Sequence, residues 1–257
     1  MSSDWSSDVC SSDLARRQVA SLERGEPLGA PAKAPLTLGR VLRFYVPLAL
    51  TSVTALAVHP AVSFFAGHGA LPLASLAVIP VVNALVFPFR ALGISYQEVG
   101  IALLGEGAAG YRPIRDFAFV LGLAAVAGMA LVVFTPLAGL WFGDVSGLGP
   151  GLAELAELPA MVLVVLPGLS VLQAAQRAVL VRAGVTGPVS AGTAVEVVCV
   201  VAALAGLVFG LELIGAVAAS AALVFGRLMG NLTLAGPAAR ALGALRAGSA
   251  LRAGGTR

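Results

Sequence analysis

From residue 41 onward the chain is written in long apolar runs, separated by short breaks rich in Gly, Pro and charge. The runs cover 41–66 (VLRFYVPLALTSVTALAVHPAVSFFA), 72–104, 114–140, 153–181, 188–210 and 212–235. Each reaches the roughly 20 residues that an α-helix needs to cross about 30 Å of hydrocarbon. Strands do not fit. The runs are too long, and an open sheet leaves its backbone groups unsatisfied in lipid. The pattern therefore predicts an all-α polytopic membrane protein with six transmembrane helices. Within the second segment, Pro80, Pro88 and Gly93 predict a broken helix, because proline removes a backbone donor and frees carbonyls.

The flanks are of a different kind. Residues 1–14 (MSSDWSSDVCSSDL) are polar and repeat the tripeptide SSD. One back-translation of Trp5–Leu14 resembles a common short-read sequencing adapter, and Ser3 and Asp4 fit its upstream bases, so residues 1–14 are set apart from the fold. The expectation that follows is a chain that is a fragment of a longer protein. Residues 15–40 are basic, with Pro and Gly, and read as a cytoplasmic linker. Residues 237–257 read as a basic cytoplasmic tail, with the option of a surface-lying helix.

Composition supports lipid as the solvent. Of 257 residues 58% are hydrophobic and 11% charged, against about 25% charged in soluble domains. The mean hydropathy is +0.95. Cys10 and Cys199 give no disulfide framework and no metal spacing. His59 and His68 are the only histidines. No P-loop, dinucleotide fingerprint or nucleophile elbow is present, so no cofactor is implied and an enzyme is not expected.

The net charge of +3 suggests nucleic acid until the cations are placed. Arg16, Arg17, Arg24, Lys33, Arg40 and Arg43 lie at or before the start of the first segment. Arg112 and Arg115 lie between the second and third, and Arg177 and Arg182 at the junction of the fourth and fifth. Arg240, Arg246, Arg252 and Arg257 lie in the tail. If six segments alternate, all of these fall on one side. The opposite loops carry His68, Asp144, Glu154, Glu157 and Glu212 and no Lys or Arg. Cations stay cytoplasmic during insertion, so both termini are expected in the cytoplasm of an inner (plasma) membrane protein. No nucleic acid partner is implied.

Arg90 and Arg227 remain, inside apolar segments. A charge near the bilayer centre costs at least about 2.5–3.5 kcal/mol, so such residues mark function or a pairing. Asn83, Arg90 and Gln97 are spaced by sevens and share one helix face, a candidate substrate-binding stripe in a cavity. The bland alternative is an Arg90 that snorkels to the headgroups. Glu196 and Arg227 lie at equal depths on consecutive segments, which makes an ion pair reasonable, either structural or ion-coupling. Glu98 and Glu196 are the candidate coupling carboxylates. Gly226 and Gly230 form a GxxxG that permits close helix approach. Gln173 and Gln176 read equally as packing or as cavity lining, and His59 beside Pro60 as a kink partner or a proton relay.

The stretch RVLRFYVPLALTSVTALAVHPAVSFFAGHG, followed by LPLASLAVIPVV, resembles the opening of one lobe in the multidrug/oligosaccharidyl-lipid/polysaccharide exporter superfamily. Phe44–Leu50 (FYVPLAL, with Pro47), Pro88 and Gln97–Glu98 are similar to the second half of the progressive ankylosis protein family. The likeness covers about residues 38–236. It implies a C-terminal six-helix lobe of a two-lobe, MATE-like secondary transporter. A missing N-terminal lobe of the same protein would be its partner in the lipid bilayer. The cargo implied is a small polar or anionic solute or a lipid-linked substrate. A non-transporting membrane scaffold or assembly subunit is the alternative from another class.

The charge pattern gives a direct expectation. Reporter fusions at Gly147 and at the C-terminus should report opposite sides of the membrane, the C-terminus cytoplasmic. A C-terminal fusion active outside the cytoplasm would overturn the six-segment count.

Overall fold

The computed structural model describes Leu56, residues 58–104 and residues 111–254, with side chains as far as Ala247. The linker, the adapter-like segment and most of the first apolar segment lie outside the described residues.

Among the described residues the elements are helical. They are α1 (Val58–Ala66), α2 (Pro72–Leu103), α3 (Tyr111–Val133), α4 (Pro150–Leu163), α5 (Leu166–Arg182), α6 (Gly187–Ala205) and α7 (Gly215–Gly254). A one-turn helix and a π-helical turn, Leu140–Val145, follow α3, and a second π turn, Gly206–Gly210, ends α6. Five helices or helix pairs are long and apolar enough to cross a membrane: Pro72–Leu103, Tyr111–Val133, Pro150–Arg182, Gly187–Gly210 and Gly215–Ala247. The end of the first predicted segment appears as α1; the rest of that segment is not described.

The outside of the bundle is as apolar as its inside. Leu73 is 84% exposed, Phe119 74%, Val198 66% and Ile94 66%. Water does not tolerate a surface of that kind over a whole bundle, whereas lipid tails do. The chain is a membrane-embedded helical protein.

Three features of the segments differ from the sequence pattern. The second segment is unbroken: α2 runs as one helix through Pro80 and Pro88. In lipid a broken helix strands further backbone groups, each at several kcal/mol. Keeping one helix with two missing donors is cheaper than opening it. The fourth segment is the one that parts, at Val164 and Val165 just ahead of Pro167, between α4 and α5. In the sixth, α7 continues through Pro237 into the basic tail, 40 residues in all. At 1.5 Å per residue that is about 60 Å, longer than the hydrocarbon core.

The loop after α1 and the loop before α7 meet in a β-bridge between Ala70 and Ile214. Gly69 and Gly215 permit this contact: a Cβ on Gly215 would lie 2.6 Å from the Ala66 carbonyl oxygen. Leu71 and Glu212 take left-handed backbone angles in these loops, with φ of 52° and 51°. That conformation is uncommon for non-glycine residues. At the other end the Arg246 guanidinium lies 5.1 Å from the centre of the Tyr111 ring. The Tyr96 hydroxyl donates to the Ile114 carbonyl at 3.0 Å, tying α2 to α3.

Apolar packing fills both ends. Towards the bridge, Val78, Val82, Val86, Met129, Phe142, Leu163 and Leu166 form one cluster. At the opposite end Leu104, Val179, Leu180, Leu234 and Ala238 form another. A third, with Val62, Val200, Leu204, Ala219 and Ala222, joins α1, α6 and α7. The polar side chains of the interior lie between the first two.

Helices α6 and α7 touch at glycine. A Cβ on Gly226 would lie 2.3 Å from Val200 Cγ2 and 2.8 Å from the Glu196 carbonyl oxygen. Gly226→Ala should therefore destabilise the protein by roughly 1–3 kcal/mol. Gly236→Ala on the same helix meets nothing within 4 Å, and should be neutral or stabilise by up to about 1 kcal/mol through helix propensity. Unfolding in mixed detergent micelles compares the two, and equal effects would show that the seam is not close-packed.

Candidate functional site

Gly93 sets the site. A Cβ there would sit 3.0 Å from the Ser170 carbonyl carbon and 3.1 Å from the Val171 nitrogen, so α2 and α5 pass nearly backbone to backbone. On either side of the contact, the polar stripe of α2 faces the polar stripe of α5. Asn83, Arg90 and Gln97 from α2, with Ser170, Gln173 and Arg177 from α5, line one cavity of about 280 Å³. His59 of α1 and Arg227 of α7 complete its polar lining. Phe87 and Ile94 also line it; both are exposed and form its rim at the bundle surface.

Two of these lining residues, Gln173 and Arg227, close a ring of three side chains with Glu196 behind the wall. Glu196 Oε1 is 3.2 Å from Arg227 Nη2. Gln173 Nε2 donates to Glu196 Oε2 at 2.8 Å. Arg227 Nη1 donates to Gln173 Oε1, which closes the ring. Gln173 is buried, and the Glu196 and Arg227 side chains are 15% and 16% exposed. Gly230 makes room for it: a Cβ there would be 3.1 Å from Glu196 Oε2 and 3.3 Å from Gln173 Nε2. Asn231, one residue on, donates to the Leu169 carbonyl at 3.1 Å and fixes α7 against α5.

The charges do not balance. Arg90, Arg177 and Arg227 all line the cavity, and Glu196 is the only carboxylate bonded to any of them among the described residues. Arg177 donates to the Thr193 hydroxyl at 3.1 Å, a neutral partner. Among the described residues, the Nε–H of each of the three arginines is buried without a partner. A buried unsatisfied donor costs about 1–3 kcal/mol, more when charged. The cavity is thus a cationic, donor-rich hollow at the middle of a membrane bundle. It suits an anion with several acceptor oxygens.

The sequence stripe of Asn83, Arg90 and Gln97 is brought together on one wall, and Glu196 and Arg227 meet. Glu98 is placed elsewhere: it is exposed and does not line the cavity. Arg177 reads from sequence as a topology charge, yet it belongs to the site. Its signal lies in Ser170, Gln173 and Arg177, spaced three and four apart on one helix face. Gln173 is cavity lining and ring member at once. Gln176 points away from this site and lines a different hollow of about 610 Å³, walled by apolar residues of α3, α5 and α7. That hollow is the larger, but its lining is mostly apolar, with Tyr111, Arg115 and Gln176 as its polar members. Among the described residues no cluster of His, Cys, Asp or Glu could hold a metal ion.

Compared with known proteins, the chain matches no family model, no curated sequence and no solved structure.

The ring is a unit, so its members should not act independently. Glu196→Ala and Arg227→Ala should each lower stability by roughly 1–3 kcal/mol, below the range of a fully buried pair because both are partly exposed. The double substitution should cost less than the two together by about 0.5–3 kcal/mol. Additive effects in that cycle would mean the two side chains do not meet in the membrane.

Proposed function

We propose that this chain is one six-helix lobe of a secondary transporter, and that the cavity between α2, α5 and α7 binds its anionic solute. The observation that carries this reading is the excess of three arginines over one carboxylate in a membrane-embedded cavity. A scaffold gains nothing from such a set. Packing alone is served by apolar residues, which avoid the cost of placing a charge in lipid. An intramembrane anion site, in contrast, requires the unbalanced charge and the spare donors.

The rim supports the two-lobe arrangement implied by the resemblance to the exporter superfamily. Phe87 and Ile94 leave the cavity open on the side of α2. A second lobe facing that side would close it off, and rocking of the lobes would expose it to each side in turn. Binding then belongs to the lobe and translocation to the pair. The gradient of an ion supplies the energy.

Sulfate is a suitable probe, as a fixed dianion with four acceptor oxygens. The purified chain in detergent should be stabilised against heat by sodium sulfate beyond chloride of matched ionic strength. Arg90→Gln and Arg177→Gln should each weaken that binding about tenfold or more, the loss of one charge-assisted contact of about 1.5–3 kcal/mol. If sulfate and chloride act alike on the unaltered chain, the anion-site reading fails and the scaffold reading gains.

A further inference from the structure

Glu196 holds a peculiar place for a carboxylate beside an anion site. It does not line the cavity, yet it is bonded directly to a guanidinium that does. Arg227 divides its donors between Glu196 on one side and Gln173 on another. An anion entering the cavity reaches the same guanidinium from the open face. It also draws on Arg90 and Arg177. Anion and Glu196 then share one cation, and two negative charges stand on either side of it.

We infer that Glu196 is the proton-binding half of the site: the solute anion displaces it from Arg227, and it takes up a proton as the anion binds. This rests on the anion reading of the cavity and adds the coupling ion to it. The step balances simply. The anion replaces the carboxylate at Arg227 Nη2, and a hydronium ion from solution gives the carboxylate its proton and leaves as water; no other covalent bond changes. Among the described residues, the charged and titratable groups around Glu196 are few. Arg227 on α7 is bonded to it, Arg177 on α5 and Arg90 on α2 line the cavity beyond, and His59 on α1 is the remaining titratable lining group. Once Arg227 turns to the anion, the retained partner of Glu196 is the neutral amide of Gln173, at 2.8 Å here. A carboxyl protonated on Oε1 still accepts from the Gln173 amide at Oε2. Gln173 therefore keeps the side chain in place through both states. Gly230 keeps α7 close enough for this exchange. By reciprocity, a proton on Glu196 strengthens anion binding by the same factor that the anion strengthens proton binding. Solute and proton then travel in the same direction.

The measurement is the pH dependence of sulfate binding to the full chain in detergent, since sulfate and the arginines keep their charges through the neutral range. Where one proton is taken up per anion, affinity falls roughly tenfold for each pH unit of rise. Glu196→Gln should flatten that dependence and bind sulfate more tightly than the parent at high pH, because the competing carboxylate is gone. His59→Gln should leave the slope, whatever it does to affinity. Calorimetry of the unaltered chain in buffers of different ionisation enthalpy counts the proton directly, and stands even if the Glu196→Gln variant folds poorly. Sulfate binding with no proton uptake, or a slope that survives Glu196→Gln or vanishes with His59→Gln, overturns the inference and leaves the anion site intact. No sulfate binding at any pH overturns both.

Discussion

A charge buried in a membrane bundle must meet an opposite charge or a dense set of hydrogen-bond partners, and this requirement organises the protein around Arg227. At an effective dielectric of about 20 a contact ion pair is worth a few kcal/mol. That is comparable with the insertion cost of one central charge. Arg227 meets the requirement through Glu196 and Gln173 together. Each of those in turn has its own bonding completed by the other. Three helices, α5, α6 and α7, are committed to their relative rotation by that ring.

The helix backbones must come close for such short side chains to meet, and glycine decides where they do. Gly226 and Gly230 bring α7 onto α6 around Glu196, and Gly93 brings α2 onto α5 around Ser170. In lipid, helices gain little from apolar burial against one another, so close packing of small residues and interhelical hydrogen bonds carry association. Here both act at one level of the bundle. The apolar clusters above and below that level exclude water from the ends. The polar cavity is left as the place where Arg90, Arg177 and Arg227 converge.

What could be read from the chain follows the same physics. The positions of the five described spans were legible because hydropathy over about 20 residues is a strong signal, and the α2 stripe was legible because sevenfold spacing puts Asn83, Arg90 and Gln97 on one face. The Glu196–Arg227 meeting followed from depth alone, given antiparallel neighbours. Two things were not legible. Pro80 and Pro88 marked a break that α2 does not make, since the cost of open backbone in lipid outweighs the loss of two donors. Arg177 looked like one more cytoplasmic charge near a segment end. Only the approach of α2 at Gly93 shows that its face of α5 looks into the cavity rather than to the headgroups. Charge counting by loop assigns a side; it does not say which way a helix is turned.

The imbalance of charge bears on why the ring exists at all. A buried ion pair is often no more stabilising than apolar residues of the same volume. Stability alone gives no reason to keep Arg227 and Glu196, and still less to add Arg90 and Arg177 without carboxylates of their own. A pair held only for packing would also be sealed from the cavity on both sides. Here one partner is turned to the cavity and the other is not. That asymmetry lets an outside anion contest the bond from one face while the carboxylate stays sheltered on the other. In the proposed reading, a site of this build exchanges one anion for another at a fixed cation. The internal one differs from the visitor in a single respect that matters for coupling: it can be neutralised by a proton without leaving.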